Sequence, residues 1–98
     1  MKSNYHGNPL LIKLSSGEEV LTGACNIDED GGYILMNKPY YVMKILKGDR
    51  MSFQLEKWMP YTENEDFPVD IRQIISYNSP SIDCLEYYYT VMKDDLED

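Results

Sequence analysis

Leu10-Leu-Ile-Lys-Leu14, Ser15-Ser-Gly-Glu-Glu-Val20, Leu21-Thr-Gly-Ala-Cys-Asn-Ile-Asp28, Glu29-Asp-Gly-Gly32 and Tyr33-Ile-Leu35 form the stretch that decides the fold. Leu10, Ile12 and Leu14 alternate with Leu11 and Lys13, the period of a strand with one strongly apolar face. Ser15-Ser16-Gly17 is a tight turn, since glycine takes positive φ without a Cβ penalty. Val20 to Asp28 reads as a second strand, and the small side chains of Thr22-Gly23-Ala24 let it bend sharply in the middle. Asp30-Gly31-Gly32 is a two-residue hairpin signal leading into Tyr33-Ile34-Leu35. Three strands in so few residues, one of them bent, describe the front half of a small closed sheet.

Further along, Met36-Asn-Lys-Pro39 interrupts pairing and Tyr40 to Leu46 resumes a β-prone run. Lys47-Gly48-Asp49-Arg50 is a turn, and Met51 to Glu56 alternates cleanly, with Met51, Phe53 and Leu55 on one face. Trp58-Met59-Pro60-Tyr61 ends that strand and reads as an apolar plug over one mouth of the sheet. Thr62-Glu-Asn-Glu-Asp66 reads as a solvated acidic loop. Two short strands, Val69 to Ile71 and Ile74 to Tyr77, flank Arg72-Gln73.

The period then changes. Ser79 is placed to cap a helix, Pro80 suits its first turn, and Asp83 and Glu86 favour the positive end of the helix dipole. Ile82, Leu85, Tyr89 and Met92 fall on one helical stripe, with Tyr88 beside it. Of the Tyr87-Tyr88-Tyr89 cluster, two rings are expected to pack on the sheet and the third to face solvent. The organisation is therefore a flexible leader over 1–9, one β domain over 10–77, a C-terminal helix over 78–93 and an acidic tail over 94–98.

Ninety-eight residues, 43% of them hydrophobic, are enough for one domain with its own core. The net charge of −8 argues against indiscriminate binding to nucleic acid backbones. The charge is uneven. Residues 33–61 carry five basic side chains (Lys38, Lys44, Lys47, Arg50 and Lys57) against Asp49 and Glu56, while the rest carries four basic and fifteen acidic ones. Cys25 and Cys84 have neither the number nor the spacing of a disulfide framework or a zinc site, so no metal and no cofactor is expected. No segment has the length of a membrane span or the apolar core of a secretion signal, which points to a cytoplasmic protein, in its own cell or an infected host.

The order of these residues resembles the Sm and Sm-like family of RNA-binding proteins. Ile12, Leu14, Gly17, Val20 and Asp28, closed by Leu35, match the first Sm motif. The Ser-Gly-Glu-Glu turn is similar to that of the short Sm-like proteins of bacteriophages. Ile71-Arg72-Gln73-Ile74 resembles the second motif, with Gln73 where glycine is usual. In the first motif Thr22 holds the place of the second glycine, and Gly32 that of the base-contacting asparagine.

The resemblance implies an all-β, SH3-type barrel of five strongly bent antiparallel strands with one C-terminal helix. It also implies a homo-oligomeric ring of five to seven subunits, five or six being favoured, that binds short A- or U-rich single-stranded RNA. The RNA pocket would lie between the loop after Asp28 and the loop at Arg72. Arg72, Tyr33, Gly32, Gln73 and Lys38 are its candidate residues, with Arg72 and Tyr33 stacking on bases and Asp28 bracing its loop. For Arg72 the competing reading is a salt bridge, to Asp70 or Glu56. For the whole chain the competing reading is a protein-interaction or structural ring, such as a phage assembly factor, without nucleic acid. Catalysis is not expected: His6 is the only histidine, and Asp28 and Asp30 flank a Gly-Gly turn as turn formers do.

Ring formation has a reason in the strands themselves. An open sheet leaves unpaired N–H and C=O groups at its edges, and Ile74-Ile75 and Met51 to Leu55 are apolar and poorly guarded by charge. Head-to-tail pairing of such edges closes into rings.

Overall fold

The computed structural model describes residues 3–96. Nine strands are present among them: β1 (Ser3–His6), β2 (Leu10–Leu14), β3 (Glu19–Thr22), β4 (Cys25–Asp28), β5 (Tyr33–Asn37), β6 (Tyr40–Lys47), β7 (Arg50–Lys57), β8 (Asp66–Asp70) and β9 (Ile74–Asn78). A short 3₁₀ turn, Ile71–Gln73, separates the last two, and helix α1 (Ile82–Leu96) follows. The strands make two sheets, ordered β1-β4-β5-β8 and β7-β6-β3-β2-β9, with every pairing antiparallel.

This corrects the expected single closed barrel of five strands: neither sheet closes on itself. The reason lies at the corners. The Val20 to Asp28 run leaves one sheet after Thr22 and enters the other at Cys25. A Cβ on Gly23 would meet Asn37 Oδ1 and the Tyr88 hydroxyl, each at 3.0 Å, so only glycine lets the chain turn so close to its neighbours. Gly23 N–H donates to Asn37 C=O (2.7 Å), and the buried Thr22 hydroxyl donates to the same carbonyl and accepts from Asn37 N–H. Asn37-Lys38 is the matching corner where the chain passes back from β5 to β6, with Lys38 held at φ +47. The single Val20 to Asp28 strand of the sequence reading thus becomes two short ones, β3 and β4.

The Asp28 to Tyr33 loop also differs from expectation. Asp28 pairs with Tyr33, which leaves four residues in the turn instead of two. Gly32 is at φ +73 but Gly31 is not at positive φ, and a two-residue type I′ turn needs positive φ at both central positions.

The leader departs further. Ser3–His6 pairs with Cys25–Asp28 as β1 and extends the first sheet, correcting the flexible segment expected over 1–9; Met1 and Lys2 lie outside the described residues. Backbone pairing requires no apolar side chains, so the polar composition concealed it. At the other end α1 runs through Leu96, into the supposed acidic tail; Glu97 and Asp98 lie outside the described residues. Its cap is Ser81 rather than Ser79: the Ser81 hydroxyl accepts from Cys84 N–H and its carbonyl from Leu85 N–H.

Two apolar clusters hold the layers. Leu10, Ile12 and Leu14, the alternating set of β2, join Val20, Cys25, Ile27, Ile34 and Met36 between the sheets. Leu21, Tyr40 and Leu55 pack against Cys84 and Tyr88 beneath α1. The buried stripe of α1 is therefore Cys84-Tyr88, flanked by Tyr87, Val91 and Met92, and not the Ile82-Leu85-Tyr89 line; Ile82 and Tyr89 are exposed. As expected of the tyrosine cluster, Tyr88 is buried, Tyr87 packs edge-on to Phe53 and Tyr89 faces solvent. Trp58 packs on the first cluster and edge-on to Phe67, whereas Met59 and Tyr61 point outward. The acidic loop is not merely solvated: Glu65 C=O accepts from Lys38 N–H (2.7 Å), and its carboxylate pairs with Lys38 Nζ (3.9 Å).

Candidate functional site

Asp28 sits at the end of β4, and its carboxylate folds over the loop that follows. Asp28 Oδ1 accepts from Gly31 N–H (2.8 Å) and its carbonyl from Gly32 N–H (2.9 Å). A Cβ at Gly31 would lie 2.7 Å from Asp28 Oδ2 and 2.8 Å from Tyr33 Cε1, so the bare backbone there fits between carboxylate and ring. Tyr33 is consequently seated over the loop at the surface, 36% exposed.

The second loop meets the first. Tyr33 is in register with Asp70, and Ile71 N–H donates to Gly32 C=O (2.9 Å). Asp70 caps the 3₁₀ turn by accepting from Arg72 N–H. Its carboxylate also takes the Arg72 guanidinium in a forked pair, with Nη2 to Oδ2 at 2.6 Å. The Arg72 side chain nevertheless stays 84% exposed. Hydrogen bonds from Arg72 hold the Asp70 carboxyl down at about 2, and the same pairing raises Arg72 further. Of the two partners named for Arg72 in the sequence reading, Asp70 is the one found, and it lies within the same chain.

The remaining candidates separate. Gln73 belongs to the Ser15 turn: its carbonyl accepts from Ser15 N–H (2.7 Å) and its Oε1 from the Ser15 hydroxyl. Lys38 is at the other end of β5 from Tyr33, about 16 Å away at strand rise, and is tied to Glu65 and Tyr88. Tyr33, Gly32 and Arg72 therefore share one corner with Asp28; Gln73 borders it and Lys38 does not reach it.

Sequence reasoning missed a feature beside this corner. An apolar groove of about 380 Å³ opens between the sheets, lined by Ile27, Ile34, Ile71, Ile74, Ile75 and Tyr77. It follows the free edge of β9, near where β8 and β9 part at the 3₁₀ turn. The cluster of isoleucines was the available signal, but their assembly from four separate elements was not visible along the chain. Among the described residues no group of three His, Cys, Asp or Glu side chains is arranged to hold a metal, and no helix is long and apolar enough to cross a membrane. Burial pushes the thiols of Cys25 and Cys84 up, with Glu19 adding to the effect at Cys84, so neither is poised as a nucleophile.

Bent strands that pass between two sheets, a turn at Gly17, an aspartate-braced loop and an arginine turn joined to it define a small β protein of the Sm type. The family model for the Sm_like domain matches residues 11–89, and the chain belongs to the Sm-like family. A comparison with curated proteins gives no match.

Proposed function

We propose that the chain is a non-catalytic Sm-like protein that assembles into a homo-oligomeric ring, of five or six subunits, and binds short A- or U-rich single-stranded RNA at the Tyr33–Arg72 corner. The observation that carries the RNA reading is the Ile71 N–H to Gly32 C=O bond, which puts an exposed tyrosine ring and an exposed guanidinium in one place. A base can stack on either group, and the guanidinium can contact phosphate. Ring assembly is supported by the free edges of β8 and β9 and by the isoleucine groove between the sheets, which a neighbour's strand would cover. The phage-type likeness of the Ser-Gly-Glu-Glu turn is the reason for favouring a small ring.

The test is fluorescence anisotropy of labelled oligo(U) and oligo(A) at low and physiological salt. Submicromolar, salt-sensitive binding that falls about tenfold in both Arg72→Ala and Tyr33→Ala is the expected result, a tenfold change being about 1.4 kcal/mol. No binding at low salt would overturn it. A second reading, a protein-interaction ring without nucleic acid, is favoured by one specific feature: Asp28, Glu29, Asp30 and Asp70 surround the corner, and Asp70 already occupies Arg72. Intact rings that bind neither oligonucleotide would establish that reading.

A further inference from the structure

Each sheet has two outer strands, β1 and β8 in one and β7 and β9 in the other. β7 is the longest of the four, eight residues against four in β1 and five each in β8 and β9. It contains no proline and no bulge, and among the described residues β6 is its one strand partner. The direction of its backbone groups follows from that pairing. Trp58 N–H donates to Pro39 C=O (3.1 Å), and Lys47 and Arg50 close a two-residue turn. Antiparallel pairs alternate, so the even-numbered residues from Arg50 to Trp58 turn their N–H and C=O toward β6. Met51, Phe53 and Leu55 turn theirs outward.

A second β7 laid antiparallel on this edge must set odd-numbered residues against odd-numbered ones, because only those offer free backbone groups. The register with its two-fold axis at Phe53 opposes Phe53 to Phe53, Met51 to Leu55, Ser52 to Gln54 and Arg50 to Glu56 of the other copy. Moving the axis one residue either way puts Arg50 opposite Gln54 or Trp58 and loses the charge match. Arg50 and Glu56 are both exposed, and neither forms an ion pair among the described residues. Arg50 also stands directly opposite Lys47 within the hairpin, a like-charge pair that a carboxylate on its other side would offset. One step further out, Asp49 of the turn comes level with Lys57. On the other face of the strand, Met51 is 69% exposed and gains Leu55 as its neighbour, while Phe53 already holds Tyr87 edge-on at 5.4 Å. The rival occupant of this edge, a neighbour's β9, reads Ile-Ile-Ser-Tyr-Asn and has no charge to answer Arg50 or Glu56.

We propose that two copies of the chain pair β7 to β7 across a two-fold axis at Phe53, joining their five-stranded sheets into one. The contact uses neither β8, β9 nor the Tyr33–Arg72 corner, so it stands apart from the ring and RNA reading. It gives the Met51 to Leu55 edge a two-fold partner in place of the head-to-tail one expected from the sequence.

Introduced cysteines test the register directly. Ser52 of one copy and Gln54 of the other would form a non-hydrogen-bonded pair with Cα atoms about 4.5 Å apart, within reach of a disulfide. After mild oxidation, Ser52→Cys/Gln54→Cys should run as a covalent dimer on non-reducing denaturing gels. Each single variant should run as a monomer, because its two cysteines lie a diagonal step of about 7–8 Å apart. The wild type, with Cys25 and Cys84 buried, should do the same. Charge exchange gives an independent reading in sedimentation velocity. Arg50→Glu and Glu56→Arg should each weaken the pairing about tenfold, since each turns two attractive pairs into repulsive ones, and Arg50→Glu/Glu56→Arg should restore it. Circular dichroism and melting temperature confirm the folds, and an Ile75→Glu background separates the contact from ring assembly. The proposal is overturned if the double cysteine variant gives no covalent dimer, if a single variant cross-links as readily, or if the exchanged charges fail to restore association. A neighbour's β9 or a different protein on this edge would produce the first of these results.

Discussion

The Tyr88 hydroxyl donates to the Lys38 carbonyl across 3.0 Å, joining the middle of α1 to the corner where the chain passes from one sheet to the other. Tyr88 is fully buried and packs edge-on to Tyr40, while Lys38 is the non-glycine residue at positive φ among those described. One side chain thereby fixes the helix against a strained corner.

Removing the hydroxyl alone leaves a carbonyl without this donor. Tyr88→Phe is expected to cost about 1–2 kcal/mol in urea denaturation, and Tyr88→Ala about 3–5 kcal/mol as the ring's space empties. A Tyr88→Phe variant as stable as the wild type would show that packing, not the hydrogen bond, holds the helix. Desolvation raises the Tyr88 phenol, with Tyr89 adding to it. A raised pKa contributes stability below the ordinary value of 10.0 that is lost as pH climbs above it, so alkaline unfolding should begin near pH 10 and be delayed in Tyr88→Phe.

Thr22 serves the same corner from beneath. Its buried hydroxyl is donor to Asn37 C=O and acceptor from Asn37 N–H, so Thr22→Val keeps the volume and strands both groups. The expected loss is about 1–3 kcal/mol by chemical denaturation.

At the Asp28 loop, Gly31→Ala forces a methyl group between the Asp28 carboxylate and the Tyr33 ring. A stability loss of about 1–3 kcal/mol and a displaced Tyr33 are expected, the latter read as weaker oligonucleotide binding. Gly17→Ala has open space around it but sits at φ +96, so it should cost about 1 kcal/mol through backbone strain alone and leave binding unchanged.

Asp70 titrates in a defined window. Its carboxyl is depressed from 3.8 to about 2 by its hydrogen bonds to Arg72, so its contribution is complete above pH 4 and is lost as pH falls toward 2. Asp70→Asn should remove that acid-side slope from the stability profile. It should also release Arg72, and if the corner binds RNA, affinity at neutral pH should rise.

Ile75 is 64% exposed on the free edge of β9 beside the isoleucine groove. Ile75→Glu should shift the assembly toward monomer in light scattering without lowering the helix signal in circular dichroism. An unchanged oligomer would place the subunit interface elsewhere.

Much of this was legible along the chain, for a local reason. The alternation of Leu10, Ile12 and Leu14, the glycine turn at Gly17 and the small residues at Thr22 to Ala24 depend on neighbours a few positions away, and the structure places them as read. The motif residues sufficed for the family. Tertiary contact decided the rest. Whether the bent strands close into one barrel or divide between two sheets depends on hydrogen bonds from Gly23 and Thr22 to Asn37, fourteen and fifteen residues away. Ser3–His6 became a strand because β4 offered a free backbone edge, which no side-chain pattern announces. The helix turned its Cys84-Tyr88 face inward because the Tyr88 hydroxyl found a carbonyl fifty residues away. Tyr33, Gly32 and Arg72 were gathered at one corner, and Lys38 was left at the far end of the same strand, by strand register, which a linear pattern does not contain.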